Sequence, residues 1–338
     1  MILTSAPGKI IITGEHAVVY DKLGVAAAIN KRSYVRISEA EDGITIKSEQ
    51  LKVEKRVKKQ ELLKLFEKLE RLREEKNYDM IKKIAKEDRL AASFYIVATV
   101  VEEYEFKPAN IFITSEVMKN LGSSSSVFSS LALAISIFLS GKEPPLEKVS
   151  SLTYRGDVIA HGGTPSGIDN SVATYGGFIT YRKSEGIQRL KLNYSFPLLV
   201  VDSGEPANTA EAVSYIRSQK ESKSKLFESV MNELDRISTD FLSCLRKRNL
   251  EGMGTCMTNY YQELRKLGIS TKKLDEIVRL ALENGAYGAK PTGGWWGGCC
   301  IILPQEERIQ RLIEIFEKRG FKAFEVKLGE DGVRRENL

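Results

Sequence analysis

Apolar and polar positions change period several times along the chain. Ile111, Ile113 and Ser115 alternate with Phe112, Thr114 and Glu116, the two-residue period of a strand. Beyond a loop of small residues, Val127, Leu131, Ala134, Ile135 and Phe138 recur at helical spacing. Upstream, residues 1–39 alternate short apolar runs with turns. Ala17–Tyr20 and Val25–Ile29 are apolar, and Tyr34–Ile37 and Ile44–Ile46 read as further strands, so this part is β-rich. From residue 51 to 86 the composition shifts to Lys, Glu, Leu and Arg, with Leu62, Leu63, Phe66, Leu69 and Leu72 at helical intervals. A solvated helical hairpin packed on the domain is the favoured reading, and a nucleic-acid arm the other. Leu90–Tyr104 then predicts a buried, strongly apolar helix.

Leu146–His161 predicts another helix, after which Gly162–Asn170 is expected to be irregular because glycine and proline break it up. Val172–Tyr175 is ambiguous, and Gly177–Tyr181 reads as a strand closing a first domain. A second part follows, with a buried strand Pro197–Asp202 and a helix from about Thr209. Long amphipathic helices are predicted over about 218–249, 251–266 and 271–284, then a glycine-rich loop over 285–298. The strand Cys299–Leu303, a helix over 305–319 and the strand Ala323–Val326 complete the chain. These elements predict an α+β protein of two domains, 1–184 and 185–338, with the charged helical insert at about 51–86 in the first. No internal repeat is visible.

Composition narrows the class. The chain has 338 residues, 42% apolar and 28% charged, which suits a globular protein with ample core. Its net charge of +6 is mild for the length, useful for anionic ligands and weak support for nucleic acid. No apolar run approaches the roughly 18 residues of a membrane span. The start Met-Ile-Leu-Thr-Ser-Ala-Pro-Gly-Lys lacks a secretory pattern. Cys244, Cys256, Cys299 and Cys300 form no Cys-x-x-Cys pair and read as reduced thiols of a cytoplasmic protein. The two histidines, His16 and His161, are far in sequence from any thiol cluster, which argues against zinc.

Four loops beside predicted strands carry the candidate chemistry: Pro7-Gly-Lys9 with Gly14-Glu-His16, Leu121-Gly-Ser-Ser124, Pro165-Ser-Gly-Ile-Asp169, and Lys290–Gly298. Gly122 and the four serines that follow offer uncovered amides and hydroxyls at a helix N-terminus. That fits either an anion site or a serine-rich cap with no ligand. The stretch is not a Walker loop, and the glycine run near 293 precedes a strand, which excludes the dinucleotide pattern.

Together these loops resemble the GHMP small-molecule kinase superfamily. Ala6-Pro-Gly-Lys-Ile-Ile-Ile-Thr-Gly-Glu-His-Ala-Val-Val-Tyr20, Pro165-Ser-Gly-Ile-Asp-Asn170 with Ala173-Thr-Tyr-Gly-Gly177, and Val201-Asp-Ser-Gly204 leading to Asn208-Thr209 are similar to its mevalonate kinase branch. The resemblance covers nearly the whole chain apart from the insert. It implies the two-domain GHMP fold: a domain of the ribosomal protein S5 domain 2 type, then a ferredoxin-like one, with the site between them. It also implies ATP-dependent phosphorylation of the mevalonate 5-hydroxyl in isoprenoid biosynthesis.

The resemblance further assigns roles. Asp169 would be the base, facing Lys9, which stabilises the alkoxide and the moving phosphoryl group. Residues Lys119, Asn120, Leu121, Gly122, Ser123, Ser124 and Ser125 would hold ATP. Mg²⁺ would lie between Ser124 and Asp157, where the family more often carries Glu. Glu15, His16 and Thr209 would bind mevalonate, with His16 or Lys9 meeting an anion and Thr209 a hydroxyl. Each has a plainer alternative: Asp169 as a turn cap, Asp157 as a surface helix acid, His16 as a core histidine. His161 reads as structural.

Two departures from the family pattern stand out. Val117-Met-Lys-Asn-Leu-Gly-Ser-Ser is about two residues shorter than the usual phosphate loop and lacks two of its glycines, which leaves nucleotide choice open; Lys119 either replaces amides with a charge or is exposed. The expected glycine run reads Gly293-Gly-Trp-Trp-Gly-Gly298, so its indoles must pack on something or cover the site. The rival readings are a sister GHMP kinase (phosphomevalonate, mevalonate 3-, sugar or homoserine), a non-catalytic sensor, and an RNA binder. No membrane or nucleic-acid partner is expected, and a homodimer is one option for assembly.

Overall fold

The computed structural model describes every residue of the chain except Asn193, Asn208, Leu338 and the side chains of Thr209 and Ala210. The chain forms two compact units. The first comprises Met1–Lys9, Ala28–Gly176 and Asp331–Leu338, and the second Ile10–Ala27 and Gly177–Glu330.

The elements of the first half, in chain order, are β1 (Ile2–Thr13), β2 (Gly24–Glu39), β3 (Ile44–Ser48), β4 (Val53–Val57), α1 (Lys59–Glu74), α2 (Tyr78–Glu87), α3 (Ala91–Val101), β5 (Ala109–Ser115), α4 (Ser123–Ser140), α5 (Leu146–His161) and α6 (Ile168–Tyr175). The chain continues with β6 (Phe178–Arg182), β7 (Gly186–Leu190), β8 (Pro197–Asp202), α7 (Thr209–Ser222), α8 (Ser224–Arg246), α9 (Leu250–Arg265) and α10 (Lys272–Glu283). It ends with β9 (Gly288–Thr292), β10 (Cys299–Leu303), α11 (Ile309–Lys318), β11 (Lys322–Lys327) and β12 (Arg334–Arg335).

In the first unit the strands run in the order β12–β1–β2–β5–β3–β4, with β3 parallel to β5 and β5 antiparallel to β2. Alternate residues of these strands, among them Val35, Ile37, Ile46, Ile111 and Ile113, bury into one apolar core with α3, α4 and α5. The charged insert folds as the expected hairpin. Leu62, Leu69 and Leu72 of α1 and Ile81 and Ile84 of α2 join that core while the lysines stay outside. Helix α4 has the length and mean hydropathy, 1.5, of a membrane span, which the sequence reading did not expect; 72% of it is buried inside the protein, and this accounts for its composition.

In the second unit, β6 and β7 form a hairpin and β6 pairs with Gly24–Ala27 of β2. A four-stranded antiparallel sheet in the order β11–β8–β10–β9 carries the remaining helices. All four cysteines are free.

Three elements differ from expectation. β1 is one continuous strand through Pro7 and Gly8, where short apolar runs alternating with turns were expected. β9 occupies part of the glycine-rich stretch read as loop; it is the edge strand of its sheet, where Pro291 costs no ladder bond. Helix α6 begins at Ile168, inside the stretch read as irregular, because Gly167 takes the left-handed conformation (φ 88°) at its N-cap and no glycine or proline follows until Gly176. Asp169 therefore sits in the first turn of a helix.

Candidate active site

In the first unit, the loop before α4 is clamped to β1 by a hydrogen bond from the Lys9 amide to the Leu121 carbonyl, 2.7 Å. Gly122 ends this loop at φ 77°, and a Cβ there would lie 2.6 Å from Lys9 Cγ, so only glycine lets the lysine lie against the loop. No side chain caps the start of α4, which leaves its first amides directed at a cavity lined by Lys119, Asn120, Gly122, Ser123, Ser124, Ser125, His161 and Asp169. Orphan amides, the helix dipole and an adjacent lysine make this an anion site. A second cavity shares Ser123 and Ser124 and extends between Gln50, Arg89, Ile113 and Phe128.

Lys9 reaches into the same place. Its Nζ lies 3.0 Å from Asp169 Oδ1, with the lysine nearly buried and the aspartate side chain 40% exposed. Asp169 thus holds a cation on one side and faces open space on the other. Its helix is fixed from two directions: Asn170 Nδ2 donates to the Ser150 hydroxyl at 2.9 Å, and the Ser129 and Thr174 hydroxyls meet at 3.1 Å.

Asp157, on α5, is 2% exposed, which excludes a surface helix acid. Its Oδ2 accepts from Ser125 Oγ at 2.7 Å, while Oδ1 has no partner. The hydroxyl beside Asp157 therefore belongs to Ser125, where the resemblance pointed to Ser124. Successive helix residues turn by about 100°; Ser125 is buried toward α5, and Ser124, more accessible, lines both cavities. An orphaned carboxylate oxygen, serine hydroxyls and an adjoining anion site form a hard-oxygen set of the kind that suits Mg²⁺. Among the described residues no cluster of three or more His, Cys, Asp or Glu could hold a metal, so oxygens of a bound anion would have to complete the shell.

Burial raises the Asp157 carboxyl to about 8; the Ser125 hydrogen bond opposes the shift and the Asp169 charge adds to it. In metal-free protein the folded chain thus keeps a proton that the unfolded chain loses in the ordinary carboxylate range. Stability from this group is complete below about pH 4 and is lost as the pH rises toward 8. Asp157→Asn removes that loss. In EDTA, the melting temperature of the variant should gain on the parent between about pH 4 and about pH 8; two parallel curves would contradict this placement.

In the second unit, the turn after β1 carries Glu15 and His16. Glu15 is buried, and its Oε1 lies 2.5 Å from Lys290 Nζ, itself wholly inaccessible on β9. The Lys290 ammonium stands 5.5 Å from the ring centres of both Tyr260 and Trp295, and Tyr260 donates its hydroxyl to the Glu15 carbonyl at 2.9 Å. His16 takes a left-handed φ of 63° and its Nε2 lies 3.2 Å from the Gly294 carbonyl. Burial, opposed by that bond and helped by the Lys290 charge, lowers His16 to about 4. Trp295 is fully buried against Tyr260 and Tyr261, and Trp296 packs on Tyr215 of α7.

Of the residues singled out by sequence, the first unit brings together Lys9, Lys119, Asn120, Gly122, Ser123, Ser124, Ser125 and Asp169 around one cavity, with Asp157 behind Ser125. Leu121 is buried and contributes its carbonyl to the clamp. His161, read as structural, lines that cavity. In the second unit Glu15 is engaged by Lys290, so its placement suits support of His16 better than direct contact with a ligand. The side chain of Thr209 lies outside the described residues. Lys290 and Tyr260 had been given no role; a lone lysine in the apolar run before Pro291 was the signal available for the first.

Residues 241–322 match the family model described as GHMP kinases C terminal. Across 99% of its length the chain is 30% identical to a mevalonate kinase of Aeropyrum pernix, covering 98% of that protein. The fold matches the crystal structure of the Methanococcus jannaschii mevalonate kinase with a TM-score of 0.80 at 26% identity, over 97% of this chain and 98% of that one. It also matches L. major mevalonate kinase in complex with R-mevalonate, with a TM-score of 0.75 at 22% identity, over 97% and 96%. Full-length identity at this level, on a fold that puts a lysine, an aspartate and a serine-rich helix start around one cavity, places the chain in the mevalonate kinase family of GHMP kinases.

Proposed function

We propose that the chain transfers the γ-phosphoryl group of ATP to the 5-hydroxyl of mevalonate, with Asp169 as the proton acceptor. The observation that carries this reading is the Lys9–Asp169 pair, 3.0 Å apart beside the uncapped start of α4. The amides and hydroxyls of Ser123 and Ser124 hold phosphate oxygens, with Lys119 adding charge. The cavity that continues past Gln50 and Arg89 takes the nucleoside.

Asp169 has one oxygen against Lys9 and an exposed face toward the cavity. It orients the attacking hydroxyl and takes its proton as the O–P bond forms. Lys9 Nζ stabilises the alkoxide that develops and the equatorial oxygens of the moving phosphoryl group. Ser125, Ser124 and Asp157 are the residues that would hold Mg²⁺ through hard oxygens. Bound there, the ion would neutralise charge on the β- and γ-phosphates. Glu15, through Lys290, holds the turn that presents His16 to mevalonate.

A coupled assay of ADP release across mevalonate, phosphomevalonate, galactose and homoserine, with ATP and with GTP, tests the reading. ATP with mevalonate should exceed every other pair in kcat/KM. Turnover confined to another acceptor would overturn it.

A further inference from the structure

Two of the four cysteines lie outside both groups of candidate residues, and the fold brings them together. Cys244 is near the end of α8 and Cys256 is within α9, the helix packed against it. Both line one cavity of the second unit, with Arg236, Asp240, Asn249 and Thr255 around them. A Cβ on Gly252 would fall 2.7 Å from Cys244 Sγ, so that sulfur rests on the backbone of α9. Cys256 stands one turn further along the same face, and a helical side chain leans back over the turn before it. The Cys256 thiol is thereby carried toward the sulfur lying at Gly252. Burial raises the Cys256 thiol to about 12 and the Cys244 thiol adds to the shift, so Cys256 keeps its proton at neutral pH. Cys244, half-buried, is the more accessible of the two. Cys299 and Cys300 differ: as successive residues of β10 they point to opposite faces of the sheet, and both are buried.

We propose that Cys244 and Cys256 form an oxidation site, at which a peroxide converts the two thiols into a disulfide that ties α8 to α9. Cys244 gives its proton to solvent, and its sulfur attacks one oxygen of hydrogen peroxide. The O–O bond breaks; one oxygen stays on sulfur as the sulfenic acid, and the other leaves as hydroxide and is protonated to water. The Cys256 sulfur then attacks that of Cys244, releasing its own proton as the S–O bond breaks and a second water departs. The two thiols have given up two electrons and two protons, and the peroxide has become two waters. The new bond closes the short stretch of chain between the helices, which limits the unfolded state and stabilises the fold.

The full chain, freed of reductant, is treated with hydrogen peroxide, its remaining thiols are alkylated in denaturant, and a tryptic digest is read by mass spectrometry. The expected product is an intramolecular cross-link between the peptides carrying Cys244 and Cys256, with Cys299 and Cys300 alkylated. The melting temperature should rise by about 5 °C over the reduced chain and fall back on adding dithiothreitol. Cys256→Ser should instead hold Cys244 as a sulfenic acid that dimedone labels, without the rise. Peptide mapping of the parent decides the matter even if that variant fails to fold. Four alkylated thiols after peroxide, Cys244 carried on to the sulfinic acid with Cys256 still alkylated, or a disulfide joining two copies of the chain would overturn the assignment.

Discussion

Asp169→Asn should lower turnover by about 10²–10⁴-fold with the fold intact, the range for losing a positioned general base. Asparagine keeps the size of the side chain and can still meet the Lys9 ammonium through its amide oxygen. What is lost is the proton acceptor. Asp169 is 40% exposed on its side chain, and its helix is held by Asn170, Ser129 and Thr174, so its charge is not needed to keep α6 in place. Lys9→Met should lower kcat by a similar order, since it removes the ammonium beside the developing alkoxide and phosphoryl oxygens. Steady-state kinetics with circular dichroism on the same samples checks both. Full turnover in both variants would remove Lys9 and Asp169 from the chemistry.

Lys290→Met should cost about 3–5 kcal/mol of stability, the usual penalty for stranding one partner of a buried ion pair. The pair is closed to solvent on both sides: Lys290 is 0% exposed and Glu15 2% on their side chains. Burial pulls the Lys290 ammonium below the ordinary lysine range, and the Glu15 carboxylate opposes that shift. Removing the ammonium leaves the carboxylate enclosed with the rings of Tyr260 and Trp295. Adding Glu15→Gln to Lys290→Met should restore part of the loss, because the remaining buried charge is gone. Chemical denaturation of the parent and the two variants reads this directly, and a Lys290→Met loss below about 1 kcal/mol would show that the pair is not the desolvated bridge described.

The loops that hold the chemistry were legible because their residue types have few other uses. A glycine and four serines between a strand and an apolar helix mark an uncapped N-terminus, and α4 has one. The hairpin over 51–86 was legible from leucines at helical spacing, and α1 and α2 bury them. Which serine turns toward Asp157 was not legible, because four identical residues give no phase; only the packing of α4 on α5 selects Ser125. β9 was hidden by its glycine, lysine and proline, each tolerated only because the strand lies at a sheet edge with its lysine paired to Glu15 across 275 residues of sequence. Trp295 occupies a left-handed position, φ 66°, where the family resemblance leads one to expect glycine; its burial on Tyr260 and Tyr261 compensates a strain that sequence alone reads as a misfit.

The candidate residues fall into a first-unit cluster around Lys9 and Asp169 and a second-unit turn around Glu15 and His16. The hydroxyl that takes the phosphoryl group separates a mevalonate 5-kinase from a 3-kinase. The proton-coupled ³¹P spectrum of the product formed from R-mevalonate and ATP tests this most directly. Phosphorylation at the primary 5-hydroxyl predicts a phosphomonoester signal split into a triplet by the adjacent methylene protons. A singlet, from an ester at the tertiary 3-hydroxyl that has no such protons, would contradict the account.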